Sequence, residues 1–403
     1  MTILIEEYLH TNSHQAEEKR ALRYLLQLAV GSMHVRGESI NLDTNEELPR
    51  LIPVLVAHFS QEELAELAGK QVAARMLEMY RTETLQNLFL EAELQHVLQA
   101  FHAADIAIIL FKGPALAYTV YPQPHLRTYH DLDMLIHEED LPRARALLVN
   151  IGYTFYEEFR SNVINDRRRG YNFTLKAADS WLEVLIELHT APHDSDIGME
   201  FDVAALWANA QAITVMGEPT LTMHPVDHLL YLCWHYRFHS FSRLLWLYDL
   251  VMIVRSGGDH FDWDMLIERA RRQKLATTVY YCLMWCRDLF DVTVPERVWQ
   301  ALRPPPLCRL IVERFALPDP ARALATRQGY THRVLAHHVM VDRSGELLKV
   351  GLRTLFPSPA AIGQRYMEHS RLPLKWYFLF YFIHPWITLA KALRYMTRER
   401  KRA

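Results

Sequence analysis

From residue 16 to about residue 103, apolar side chains recur every three or four positions, as in Ala21-Leu22-Tyr24-Leu25-Leu26 and again from Leu85 through Leu98 to Phe101. Acidic and polar residues fill the gaps, so the pattern predicts helices with one apolar stripe each. The texture changes at Ile106-Ala107-Ile108-Ile109-Leu110-Phe111, a short unbroken apolar run ending at Lys112-Gly113-Pro114. That run predicts a buried strand entering a turn. A short helix is expected over 115–121, with Pro114 in its first turn where no amide partner is needed. A second strand is expected over 131–136. A helix then runs to about residue 150, its first turn acidic at Glu138-Glu139-Asp140 and its end marked by Gly152. Strands follow over 153–156, 171–175 and 181–189. Beyond about residue 200 the helical period returns over 225–236, 244–255, 263–273 and 279–290, with a hairpin over 213–223 around Gly217-Glu218 and a break at Pro304-Pro305-Pro306.

These elements give an α+β fold class (mixed α/β) with four segments. They are an N-terminal helical segment (1–103), a core with a small mixed β-sheet (104–200), a helical domain (201–300), and a C-terminal helical extension with an aromatic and basic end (301–403). The 403 residues are half hydrophobic and 23% charged, enough apolar material for a folded protein of two or three units. A formal net charge of -3 gives no global drive toward nucleic acid, and DNA is not an expected partner. Cys233, Cys282, Cys286 and Cys308 lack metal-knuckle spacing and read as reduced, buried thiols. The N-terminus lacks the basic start and apolar run of a signal peptide, and no apolar stretch reaches the ~18 residues of a membrane span. The expectation is a cytoplasmic enzyme.

The chemistry concentrates in Asp131-Leu132-Asp133. On a strand, side chains alternate, so both carboxylates point one way while Leu132, Met134 and Ile136 point into the core. Two adjacent carboxylates repel unless a cation lies between them, and a hard ion such as Mg²⁺ or Mn²⁺ takes oxygen ligands of this kind. Phosphoryl and nucleotidyl transfer need this arrangement. On the strand 181–189, Glu183, Glu187 and His189 share a face, and alternation alone leaves either glutamate as a third carboxylate. Gly113 permits close backbone approach, Lys112 offers a point charge for a phosphate, and Arg127 offers a second.

The run Leu110-Phe111-Lys112-Gly113-Pro114-Ala115-Leu116, then Tyr121-Pro122, Arg127, Asp131-Leu132-Asp133-Met134-Leu135-Ile136, Gly152-Tyr153 and Ile186-Glu187-Leu188-His189 resembles a bacterial family of uncharacterised nucleotidyltransferases of the DNA polymerase β-like superfamily. The resemblance continues through His228, His235 and Arg243-Leu244-Leu245-Trp246-Leu247-Tyr248-Asp249-Leu250 and covers roughly residues 85 to 290. It implies a nucleotidyltransferase-fold core that uses NTP and Mg²⁺ to move a nucleoside monophosphate onto a hydroxyl acceptor, which can be a small molecule, peptide, protein or RNA end. It also implies that Asp131 and Asp133 bind the metal, that Glu187 is the third carboxylate, and that Lys112-Gly113 is the nucleotide-phosphate turn with Arg127 nearby. The chain departs from the wider superfamily in placing Lys-Gly-Pro, with a longer insert behind it, where Gly-Ser or Gly-Gly is usual.

Other features have blander readings. His235 and His239 are four apart on a predicted helix, but no zinc-protease glutamate follows, so packing or lining of the nucleotide cleft is expected. Arg167-Arg168-Arg169 reads as a solvated loop, and His193-Asp194-Ser195-Asp196 lacks a strand to fix its carboxylates. The aromatic run 376–383 followed by Lys391, Arg394, Arg398, Arg400, Lys401 and Arg402 suits weak contact with the inner face of a membrane or a buried helix with a frayed tail. Two other functions fit the Asp-x-Asp: a metal-dependent glycosyltransferase, which would bring a doubly wound domain ahead of the motif, and a non-catalytic nucleotide-binding or regulatory protein retaining the fold.

Overall fold

The computed structural model describes residues 12–35, 48–156, 170–176, 183–192, 201–239, 241, 243–316, 339–358, 362, 379–388 and 390. Arg167-Arg168-Arg169, His193 to Asp196, Trp181, residues 376–378 and the basic end from Lys391 lie outside them.

Everything described ahead of the first strand is helical: α1 Asn12–Val35, α2 Leu48–His58, α3 Gln61–Ala68 and α4 Lys70–Ala103. No doubly wound domain precedes the Asp-x-Asp in these residues. Ser60 and Glu63 form a reciprocal capping box that starts α3. Leu90, Leu94, Val97, Leu98 and Phe101 lie on one face of α4 at the predicted helical spacing and pack on the sheet. Val72, Ala73 and Met76, nearer its start, belong to a second core shared with the later helices.

The apolar run 106–111 pairs as a strand at β1 Ile109–Leu110, with flanking backbone bonds from Leu221 N–H to the Ile108 carbonyl and from Phe111 N–H to the Asp133 carbonyl. The following helix, α5 Lys112–Thr119, begins at Lys112 itself, three residues earlier than expected. Then come β2 Asp131–Leu135, α6 Leu141–Asn150, β3 Thr154–Tyr156, β4 Gly170–Lys176, β5 Glu183–His189, α7 Val203–Ala208, β6 Gln211–Val215 and β7 Glu218–Thr222. They make one mixed seven-stranded sheet in the order β3-β4-β5-β2-β1-β7-β6. The β6–β7 hairpin turns on Met216 and Gly217, both at positive φ, as a tight two-residue turn requires. It joins the sheet by parallel pairing of β7 with β1, so the sheet takes strands from both sides of residue 200.

The helices α8 Pro225–Phe238, α9 Leu244–Gly257, α10 Trp263–Arg272, α11 Ala276–Phe290, α12 Glu296–Leu302, α13 Pro306–Ile311 and α14 Ser344–Leu355 complete the named elements. Strand alternation sorts the sheet's faces. Leu132, Met134, Ile136, Val184, Ile186 and Leu188 pack on α4 and α6. Asp131, Asp133 and Leu135 therefore face the other way, and Ile109, Phe111 and Leu135 meet the side chains of α8 and α9. All four cysteines are free and buried. No described helix is long and apolar enough to cross a membrane. Residues 379–388 are helical, with His384 buried against Thr354 and with Phe382, Ile383 and Trp386 exposed on the opposite side.

Candidate active site

The two aspartates stand on the central strand β2, whose neighbour β5 runs parallel to it in a register that sets Asp133 directly across from Glu187. Leu135 lies across from His189 in the same ladder. One ligand atom each from Asp133, Glu187 and His189 falls within 4.8 Å of the others, the one grouping of potential metal ligands among the described residues. Asp133 is 0% exposed. Its Oδ1 takes Lys112 Nζ at 2.6 Å and His189 Nε2 at 3.2 Å, while Oδ2 has no hydrogen-bond partner among the described residues. Glu183, the competing carboxylate, is exposed at the start of β5, opposite Lys176.

Asp131, two residues up the same face, is half-buried, and its carboxyl is pushed up to about 6 by burial and then by the negative charge of Asp133. Glu187 is held down at about 2, first by its hydrogen bond with His189 and then by the Lys112 charge, against the effect of burial. Burial disfavours a charged His189, but hydrogen bonds to Asp133 and Glu187 outweigh it and raise its pKa. The group is an anionic cluster whose present counter-charges are a lysine and a histidine.

Lys112 is not the free phosphate contact that its position after a strand suggested. Its Nζ bridges Asp133 and, at 3.6 Å, Glu187, and the two carboxylates hold its pKa well above the usual lysine value despite burial. Its backbone sits at φ 56°, the left-handed region, and its N–H donates to His228 Nε2 at 3.0 Å. Burial and then the Arg127 charge lower His228 to about 3, so the ring is neutral and able to accept that bond. At Gly113 a Cβ would lie 2.5 Å from Tyr129 Cβ, so the close approach the glycine permits is that of a side chain. Arg127 is buried and its guanidinium is engaged by both oxygens of Asp249 on α9, at 2.7 and 2.8 Å, with the Tyr121 hydroxyl donating to the same carboxylate. It ties the sheet side to the helices while still lining the cavity above the carboxylates.

Above the carboxylates opens a cavity of about 320 Å³, within the usual range for a small-molecule site, bounded by Asp131 and Glu187 on one side and by His235, His239, Arg243 and Trp246 on the other. His235 and His239 pack on Trp246, with ring centroids at 4.4 and 5.0 Å, rather than joining the ligand group.

Residues 47–291 match the model of the family described as uncharacterised nucleotidyltransferases. The chain belongs to this family. Membership makes it a transferase acting on a nucleotide, built on a mixed α/β fold. No curated protein matches the chain. Among solved structures, an antigenic nucleotidyltransferase-like protein from Paracoccidioides brasiliensis is similar at 10% identity, with 52% of this chain and 96% of that one covered and a TM-score of 0.33. Within this family member, reading the sequence alone gave no role to Asp249 or Trp246. Tyr121 and Arg127, the partners of Asp249, lie more than a hundred residues away, and His235 and His239, which pack on Trp246, lie at the end of the preceding helix.

Proposed function

We propose that this protein moves a nucleoside monophosphate from an NTP to a hydroxyl acceptor and releases pyrophosphate, with Asp131, Asp133 and Glu187 holding Mg²⁺ or Mn²⁺. The observation that carries this reading is the pairing of Asp133 with Glu187 across β2 and β5, with Glu187 and Asp131 lining a cavity that Arg243 also lines. The residues fit a hard divalent ion. Asp133 Oδ2 is buried without a hydrogen-bond partner among the described residues, and the donors are carboxylate oxygens with a histidine nitrogen beside them. Such an ion, when bound, supplies positive charge against the phosphates.

The chain's own groups divide the remaining work. Asp133, fully enclosed and bonded to Lys112 and His189, gives the site a fixed point. Glu187 is the more exposed of the two facing carboxylates, so an incoming hydroxyl reaches it first and is oriented by donating a hydrogen bond to it. The acceptor oxygen then bonds to the α-phosphorus as the α–β bridging bond breaks. The leaving pyrophosphate takes the electron pair and the hydroxyl's proton passes to solvent.

The test is incubation of the whole chain with each α-labelled NTP, Mg²⁺ or Mn²⁺, and cell extract, following label and pyrophosphate. Transfer is expected with wild type and absent in Asp131→Asn and Asp133→Asn. Intact NTPs throughout, with no aspartate-dependent thermal shift from nucleotide plus metal, would sink the reading.

A second reading concerns location. Phe382, Ile383 and Trp386 form an exposed apolar face, and the sequence after it carries Lys391, Arg394, Arg398, Arg400, Lys401 and Arg402. We infer contact with an anionic bilayer surface. Sedimentation with phosphatidylglycerol vesicles but not phosphatidylcholine vesicles, lost in Phe382→Ser/Trp386→Ser, is the expected result; equal sedimentation of wild type and variant refutes it.

A further inference from the structure

Four cations line the cavity: Arg50, Lys112, Arg127 and Arg243. They are not equally available. Lys112 is committed to Asp133 and Glu187, and Arg127 to Asp249. The Arg243 guanidinium lies over the Trp246 ring, 4.8 Å from its centroid, and no carboxylate among the described residues pairs with it. Trp246 is itself held in an aromatic stack with His235 and His239, whose own rings are 4.6 Å apart. Three packed rings thus fix the plane on which the guanidinium rests, which reduces the rotamer freedom an arginine loses on binding. The rings add no competing charge, since burial, followed by Arg243 and Lys112, lowers His239 to about 4.

This places a half-buried, pre-set cation across the cavity from an acidic floor. A guanidinium offers paired N–H donors that match phosphate oxygens, and a polyphosphate with one end over the carboxylates would extend away from their negative charge toward the opposite wall. We propose that Arg243, seated on Trp246, anchors the polyphosphate end of the substrate, the portion that departs as pyrophosphate. The sequence pattern assigned phosphate binding to the Lys112-Gly113 turn; the committed Lys112 ammonium shifts that task to the helical wall. The inference rests on the nucleotidyltransferase reading for its substrate but makes a separate demand: an anion site that works without a metal.

The test uses the full chain and inorganic pyrophosphate in EDTA, followed by calorimetry and by the change in tryptophan fluorescence. Wild type is expected to bind. Arg243→Ala should weaken binding roughly 10- to 100-fold, the usual size of a lost charge-assisted hydrogen bond, and Arg243→Lys should fall between. Manganese binding, read by electron paramagnetic resonance, should be the same in wild type and Arg243→Ala. Unchanged pyrophosphate affinity in Arg243→Ala, or no binding by wild type, overturns the proposal even if NTP turnover is observed. Loss of pyrophosphate binding in Arg243→Ala with no NTP turnover by wild type would uphold the subsite and reject the reaction.

Discussion

Replacing Lys112 by methionine removes the ammonium 2.6 Å from Asp133 Oδ1 while keeping most of the side-chain volume. Asp133 is 0% exposed, so the variant leaves a buried carboxylate with His189 as its remaining cationic neighbour. Breaking a buried ion pair from one side costs about 3–5 kcal/mol. At about 2–4 °C per kcal/mol, taken for a domain of 150–250 residues, a loss of about 3 kcal/mol lowers Tm by roughly 6–12 °C. A divalent ion on Asp133 and Glu187 would replace the missing charge, and binding at a hundred times Kd contributes about 2.7 kcal/mol. Thermal denaturation of Lys112→Met in EDTA should therefore show the full drop, and a Mg²⁺ titration should recover most of it. Wild type should gain less from Mg²⁺, because there the ion competes with the ammonium for the same oxygens. The double variant Lys112→Met/Asp133→Asn should lose less than Lys112→Met alone and should not respond to Mg²⁺. A Tm within a degree of wild type in EDTA would refute the ion-pair reasoning. A drop that Mg²⁺ leaves untouched would refute the assignment of Asp133 as a metal ligand.

Gly113→Ala sets a Cβ 2.5 Å from Tyr129 Cβ and should cost about 1–3 kcal/mol, read as a lower midpoint in thermal denaturation. Asp249→Ala leaves the Arg127 guanidinium buried and unpaired, with an expected loss of about 3–5 kcal/mol in urea denaturation, while Arg127→Met/Asp249→Leu should recover much of it. The buried Glu18 joins α1 to His58, Arg255 and Tyr248. Burial opposes its charge, but His58 and Arg255 outweigh it and lower its pKa, while the bond to Glu18 raises that of His58. Glu18 therefore stabilises fully above its ordinary 4.5 and loses this as pH falls through its lower folded value. His58 stabilises fully below its ordinary 6.5 and loses this as pH rises through its higher folded value. The difference in Tm between wild type and Glu18→Gln should peak between about pH 4.5 and 6.5, and a difference flat across pH would count against it.

How far the sequence reached depended on the range of the interaction. Alternation along β2 is local, and it correctly turned Asp131 and Asp133 away from the core that holds Leu132 and Met134. The β2–β5 register is a tertiary property, so no local rule could place Glu187 rather than Glu183 opposite Asp133. Lys112 and Arg127 were read as free cations because their partners lie on other elements; Asp249 is 122 residues beyond Arg127, and Asp133, 21 beyond Lys112, stands on the neighbouring strand. The hairpin at Met216-Gly217 was legible from its turn, but its docking on β1 was not, since an edge accepts any strand that packing delivers. Gly113 was recognised as a point of close approach, although what approaches is Tyr129.

One consequence concerns α4. At 34 residues it is about 51 Å long, and it packs at one end on α2 and α3 and at the other beneath the sheet. Between those ends the buried Asn87 accepts the Tyr129 N–H, pinning the loop just ahead of Asp131 to the same rod. Any displacement of α2 and α3 relative to the sheet would have to bend this rod. Under the proposed transfer, a mouth held this way would select an acceptor by what can enter rather than by what can make the protein close.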